Sequence, residues 1–144
     1  GRVAEAVYRN NKNVTITNST KTRQYYNYCA NTFGLTHGDR VKIEKLPTTM
    51  TFELKRDHPD WLIKSNTFEW HMGHFHSKRD MEYMALDDTG VTLRFFRSLT
   101  SADKWHFDNQ FIGAPKAAES LLWTPNDGLF AQYPTTIGQG TYLQ

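Results

Sequence analysis

Short runs in which apolar and polar residues alternate recur along most of this chain, and they constrain its fold more than any other feature. Val41 and Ile43 alternate with charged residues, Phe68 and Trp70 share one parity of a later run, and Leu93 lies in a third run. Such alternation places the apolar side chains on one face of a β-strand. The runs are separated by segments rich in turn-forming residues, for example 58–60, 87–90 and 126–128.

The pattern predicts about eight or nine strands and few helices. We therefore predict an all-β chain, an antiparallel β-sandwich of the jelly-roll type, forming a single domain over residues 1–144. One or two short helices are expected, at residues 2–9 and at residues 114–122, where Pro115 stands at a plausible first helical position. The core-facing parities predict that the following residues are buried: Ile43, Phe52, Phe68, Trp70, Leu93 and Phe107.

Composition narrows the classes of function. Seventeen Lys and Arg stand against fifteen Asp and Glu, so no strong overall field draws the chain to nucleic acid or to a membrane surface. Cys29 is the only cysteine, which excludes an internal disulfide and a cysteine-based zinc site. No apolar run approaches the roughly 20 residues that a membrane span requires. Aromatic residues make up 14% of the chain, a content that suits binding surfaces as well as a core.

Three of the six histidines, His71, His74 and His76, fall in one short stretch of a predicted strand. His74 and His76 have the same parity and are expected to share a face. His71 joins them only if Gly73 marks a β-bulge, and a three-histidine face of that kind suits zinc, iron or copper.

Segment 73–76, Gly-His-Phe-His, followed by Glu82, resembles the first metal motif of the cupin family. That resemblance implies a metal-dependent barrel enzyme using His71, His74 and His76. In this chain Glu82 comes about one residue later than in that family, and His106 follows too soon for the second motif. Because no correctly spaced carboxylate or later histidine completes the ligand set, we predict no tightly bound metal and no cofactor.

Two groups of residues are candidates for binding. Arg40, Lys42 and Lys45 cluster on one run and are predicted to contact the phosphates of a nucleic acid. Trp61 and Trp123 stand beside turn-forming residues, a placement typical of tryptophans that stack on sugars or anchor a subunit interface.

With no complete catalytic motif, the chain is predicted to be a non-enzymatic protein of assembly or binding. Segment 38–43 resembles part of the shell domain of the coat proteins of small icosahedral viruses, which implies a self-assembling capsid protein found in a virion or outside the cell. The alternatives are a lectin-like carbohydrate-binding module and the cupin-like enzyme. The expected partners are copies of the same chain and a nucleic acid or a glycan.

Overall fold

The computed structural model describes residues 2–39, 42–73, 84–86, 90–96 and 117–136. Within them the chain forms three α-helices, one 3-10 turn and seven strands. In chain order these are α1 (Arg2–Tyr8), β1 (Arg23–Tyr28), β2 (Asn31–Thr36), the 3-10 turn (Ile43–Lys45), α2 (Leu46–Asp57), α3 (Pro59–Lys64), β3 (Thr67–Met72), β4 (Met84–Leu86), β5 (Val91–Phe95), β6 (Ala117–Thr124) and β7 (Gly128–Thr136). No helix of this described part is both long and apolar enough to cross a membrane.

The strands form a five-stranded sheet of order β1-β2-β3-β5-β4 and a separate hairpin of β6 and β7. The prediction of a chain made mostly of strands with a few short helices is confirmed at this level. The expected antiparallel pairing is wrong at the centre of the sheet, where β3 pairs in parallel with both β2 and β5. Parallel neighbours need a crossover connection, and the 3-10 turn with α2 and α3 supplies it between β2 and β3.

Helix α2 occupies a segment that the alternating pattern predicts to be a strand. Leu46, Met50 and Leu54 are all buried, and their spacing of four residues fits a helix as well as a strand. Pro47 stands in the first helical turn, where its missing N–H costs no hydrogen bond. The burial predicted for Phe52 is therefore wrong, because in the helix it points outward and is 73% exposed.

The second predicted helix is also wrong, because residues 117–124 form strand β6. Their apolar side chains find partners across the hairpin rather than along a helix: Leu122 pairs with Ala131, and Trp123 pairs with Leu129. The predicted helix at residues 2–9 agrees with α1.

The core lies between the sheet and α2. Its buried members are Leu46, Met50, Leu54, Trp70, Met72, Val91, Leu93 and Phe95. Trp70 is fully buried, and its indole Nε1 donates to the backbone oxygen of Leu46 at 2.9 Å, so the ring's polar atom is satisfied. Burial is confirmed for Trp70 and Leu93. Ile43 and Phe68 are half-buried against this core, and Phe107 lies outside the described residues.

The hairpin covers the opposite face of the sheet. The ring of Trp123 packs edge-on against Phe33, with centroids 4.5 Å apart. Asn31, fully buried on β2, donates from Nδ2 to the backbone oxygen of Thr124 at 2.8 Å and accepts from the hydroxyl of Thr67 at 2.6 Å. The described part of the chain thus has three layers: helices, the mixed sheet and the hairpin.

Candidate ligand-binding cleft

A cleft of about 520 Å³ opens at the end of the sheet where β2, β3 and β5 all terminate. These three strands are mutually parallel, so the cleft lies at their carboxyl ends, the edge at which open sheets with parallel strands bind ligands. We call it the carboxyl-edge cleft. Its lining residues are Lys21, Thr22, Gln24, Leu35, Thr36, His37, His71, Met72, Gly73 and Phe96.

His71 is the most firmly held polar side chain of the cleft. It lies near the end of β3, on the sheet face that the hairpin covers, and its side chain is 11% exposed. Nε2 lies 2.9 Å from the Glu69 oxygen Oε1. The ring also packs against the rings of Phe33 and Phe96, with centroid separations of 5.2 and 5.1 Å. These contacts hold the imidazole in one orientation at the wall of the cleft.

The carboxylate behind His71 belongs to Glu69, which is paired with Arg94 of β5. The guanidinium donates to both carboxylate oxygens, from Nε to Oε1 and from Nη2 to Oε2. Both side chains are buried. Burial alone would raise the pKa of Glu69, but hydrogen bonds from His71 and Arg94 and the positive charge of Arg94 outweigh it. The pKa of Glu69 therefore lies below its ordinary value of 4.5, and the group is an anion at neutral pH.

The polar network continues from the sheet into the hairpin. Arg94 Nη1 donates to Gln132 Oε1 at 3.3 Å, and Gln132 Nε2 donates to Glu119 Oε2 at 2.8 Å. Four side chains beyond His71 thus form one connected path across the layer boundary. Buried polar groups linked in this way fix the relative position of the elements that carry them.

The polar lining of the cleft favours an anion. Lys21, His37 and His71 line it, and none of the described lining residues is acidic. Glu69 lies behind His71 and is neutralised by Arg94, so it adds little negative potential. Thr22, Thr36 and Gln24 add side-chain hydrogen-bond donors to the same wall.

A second cleft, of about 400 Å³, is less suited to a charged ligand. It is lined by Lys21, which the two clefts share, and by groups of both signs that already pair: Arg23 Nη2 lies 2.5 Å from Glu53 Oε1, and the Tyr25 hydroxyl donates to Glu53 Oε2 at 2.5 Å. These hydrogen bonds lower the pKa of Glu53, and burial beside that carboxylate raises the pKa of Tyr25. Arg56 and Asp57, which line the same cleft, also form an ion pair with each other.

The predicted metal site is only partly visible. His71 lines the cleft, but His74 and His76 lie outside the described residues, so the three-histidine arrangement is not tested. Within the described ranges no group of three or more His, Cys, Asp or Glu side chains is placed to hold a metal ion.

The predicted binding residues do not form one surface. Lys42 and Lys45 are exposed at the 3-10 turn, and Arg40 lies outside the described residues. Trp61 is in α3, half-buried, with its ring stacked on His58 at 4.0 Å. Trp123 is in β6 and faces Phe33. Both tryptophans therefore lie within secondary-structure elements and not in the turns beside which the sequence places them.

Two cleft components were not predicted from the sequence, the Glu69–Arg94 pair and His37. One signal was present: Glu69 and His71 share the parity opposite to Trp70, which predicts a polar second face for β3. Nothing in the sequence indicates that Arg94 of β5 is the partner of Glu69. Arg94 lies close to Glu69 only because β3 and β5 are parallel neighbours in a register that places His71 beside Arg94.

No family model, no curated protein and no solved structure matches this chain. The chemistry of the cleft is therefore the basis for assigning a function.

Proposed function

We propose that this chain is a binding protein whose carboxyl-edge cleft receives a phosphate of a nucleic acid. The observation that carries the proposal is the lining, which combines Lys21 and His37 with the side-chain donors of Thr22, Thr36 and Gln24 and, among the described residues, no acid. Phosphate oxygens accept from Lys, His and Thr donors, and such contacts supply most of the affinity of sequence-independent binding. A glycan is less well supported, because Trp61 and Trp123 are half-buried and their rings already contact His58 and Phe33.

The finer architecture belongs to the same proposal. The hairpin faces the sheet as a second β-layer, so we infer a partial β-sandwich with helices on its far side. The parallel pairs of β3 do not favour a jelly roll, which is built from antiparallel strands. Lys42 and Lys45, both exposed, remain candidates for additional phosphate contacts.

Removing the cleft's lysine is expected to weaken nucleic-acid binding. We expect Lys21→Ala to raise the Kd for a fluorescein-labelled single-stranded DNA oligonucleotide about tenfold, because one charge-assisted phosphate contact is lost. A plot of the logarithm of the association constant against the logarithm of the salt concentration should become less steep by roughly one unit of slope. Fluorescence anisotropy over a salt series measures both quantities.

The matched control is Lys64→Ala, since Lys64 is exposed on α3 and does not line the cleft. Lys64→Ala should leave the Kd within about twofold of the parent value, because salt screens the attraction between a distant surface charge and the nucleic acid. Equal losses in the two variants would mean that binding depends on overall charge and not on the cleft, and would contradict the proposal.

Self-assembly is the second candidate function, and the outward face of the hairpin favours it. Leu122, Phe130 and Tyr133 are 49%, 71% and 57% exposed on this face. Exposed apolar side chains that lie together are typical of surfaces that become buried when proteins associate. The narrower prediction of a viral coat protein stays a prediction.

If this face joins two copies of the chain, Phe130→Ser should raise the dimer dissociation constant at least tenfold, as expected for an aromatic anchor. Sedimentation equilibrium measures that constant. Phe52→Ser is the matched control, because Phe52 is 73% exposed but lies on α2. A parent protein that stays monomeric at the highest concentration reached would rule out this candidate.

A further inference from the structure

The carboxyl-edge cleft brings together two histidines and a lysine, and we propose that it cleaves RNA without a metal ion. The inference rests on the proposed binding of a phosphate in the cleft and adds a substrate class, a single-stranded RNA phosphodiester. One of two histidines beside a phosphate can accept a proton from the attacking oxygen, and the other can donate a proton to the departing oxygen. A lysine can neutralise the negative charge that develops on the phosphoryl oxygens.

His71 is prepared for one of these proton transfers by its neighbours. The ionised Glu69 carboxylate can only accept hydrogen bonds, so the imidazole presents Nε2–H to it. In the neutral ring the proton then resides on Nε2, and Nδ1 keeps its lone pair. The arrangement of a histidine held by a buried carboxylate fixes the tautomer of a general base. Arg94 in turn holds the Glu69 carboxylate in place by donating hydrogen bonds to it.

His37 is placed on the neighbouring strand end. Leu35 is the register partner of His71 across the parallel β2–β3 pair, so His37 follows two residues further along. Spacings within a sheet then place the Cα atoms of His37 and His71 roughly 8 Å apart, and both residues line the same cleft. His37 also lies beside Gly73, with its Nδ1 3.8 Å from the position of a Cβ there. Lys21 lines the same cleft.

The reaction that this arrangement supports is an internal transesterification. The 2′-hydroxyl oxygen attacks the adjacent phosphorus and gives its proton to His71 Nδ1. A bond forms between O2′ and phosphorus, and the bond between phosphorus and O5′ breaks. Protonated His37 donates a proton to the departing O5′, and Lys21 offsets the charge on the phosphoryl oxygens. The products are a 2′,3′-cyclic phosphate and a free 5′-hydroxyl, with no change of oxidation state.

The test uses the purified chain, a fluorescently labelled single-stranded RNA and excess EDTA. We expect cleavage with a 2′,3′-cyclic phosphate terminus, identified by mass spectrometry. DNA and 2′-O-methyl RNA of the same sequence should bind but remain intact, because both lack the 2′-hydroxyl nucleophile. His71→Gln and His37→Ala should each lower the cleavage rate at least about 100-fold, the usual contribution of one acid or base. His58→Gln, which alters a histidine outside this cleft, should retain the parent rate.

Four results would overturn the inference. DNA binding without RNA cleavage would refute the activity while leaving the proposed binding intact, whereas loss of both would refute both. Cleavage that EDTA abolishes would assign the chemistry to a metal ion. Cleavage that persists at the parent rate in His37→Ala would exclude the two-histidine mechanism, and since His37 is exposed this variant leaves the core unchanged.

Discussion

Replacing Gly34 by alanine is expected to destabilise the protein by about 3 kcal/mol, at the upper end of the cost of overpacking a core. A Cβ at this position would stand 2.5 Å from Cε3 and 2.6 Å from Cζ3 of Trp70. The indole cannot move away, because Trp70 is fully buried and its Nε1 is bonded to the backbone of Leu46. Urea unfolding followed by tryptophan fluorescence measures the change in the free energy of unfolding.

Gly73→Ala is the matched control. Among the described residues, the same added methyl group would meet His37 atoms at 3.8 Å, an ordinary contact, and its cost should stay within about 0.5 kcal/mol. In a protein that already carries Trp70→Leu, Gly34→Ala should have almost no further effect on stability, since the clashing ring is gone. A cost for Gly34→Ala that does not change in the Trp70→Leu background would show that the clash is not its cause.

The second large effect is expected at Glu69. Glu69→Ala should destabilise the protein by about 3–5 kcal/mol at pH 7, because it leaves the buried guanidinium of Arg94 without its carboxylate. Asp57→Ala, which breaks the exposed ion pair with Arg56, should leave the unfolding midpoint unchanged. Chemical denaturation of both variants provides the comparison.

The same pair predicts how stability depends on pH. The pKa of Glu69 is lower in the folded protein than its ordinary value of 4.5, so its stabilising contribution is complete above that value. The contribution is lost as pH falls from 4.5 through the lowered folded pKa. The difference in stability between the parent and Glu69→Ala should therefore shrink over this acidic range. A difference that stays constant from pH 7 to pH 3 would contradict the assigned cause.

Sequence periodicity predicted β3 well and α2 poorly. On β3, Trp70 lies on the core parity and Glu69 and His71 on the other, as strict alternation requires. On α2, apolar residues spaced by four satisfy both a strand and a helix, so periodicity alone does not distinguish them. Only Pro47 carried a signal for the helix, at its first turn.

The histidine at the cleft was recognisable from the sequence, but its chemistry was not. His71 draws attention as part of a cluster, whereas its proposed role depends on Glu69, Arg94 and His37. Arg94 reaches Glu69 because β3 and β5 are parallel neighbours, and His37 reaches the cleft because β2 lies on the other side of β3. Strand order and direction are long-range properties, and single-sequence alternation contains neither.

The buried amide of Asn31 has a consequence for the order of events during folding. Two of its acceptors, the backbone oxygens of Thr124 and Pro125, lie more than 90 residues later in the chain. Before that segment has been synthesised, the Asn31 amide has its local acceptor, the backbone oxygen of Tyr28, but neither of these two later ones, and burying the N–H left unpaired would cost about 1–3 kcal/mol. The first three strands are therefore expected to consolidate late, after the hairpin docks, so that folding is dominated by long-range contacts and is correspondingly slow.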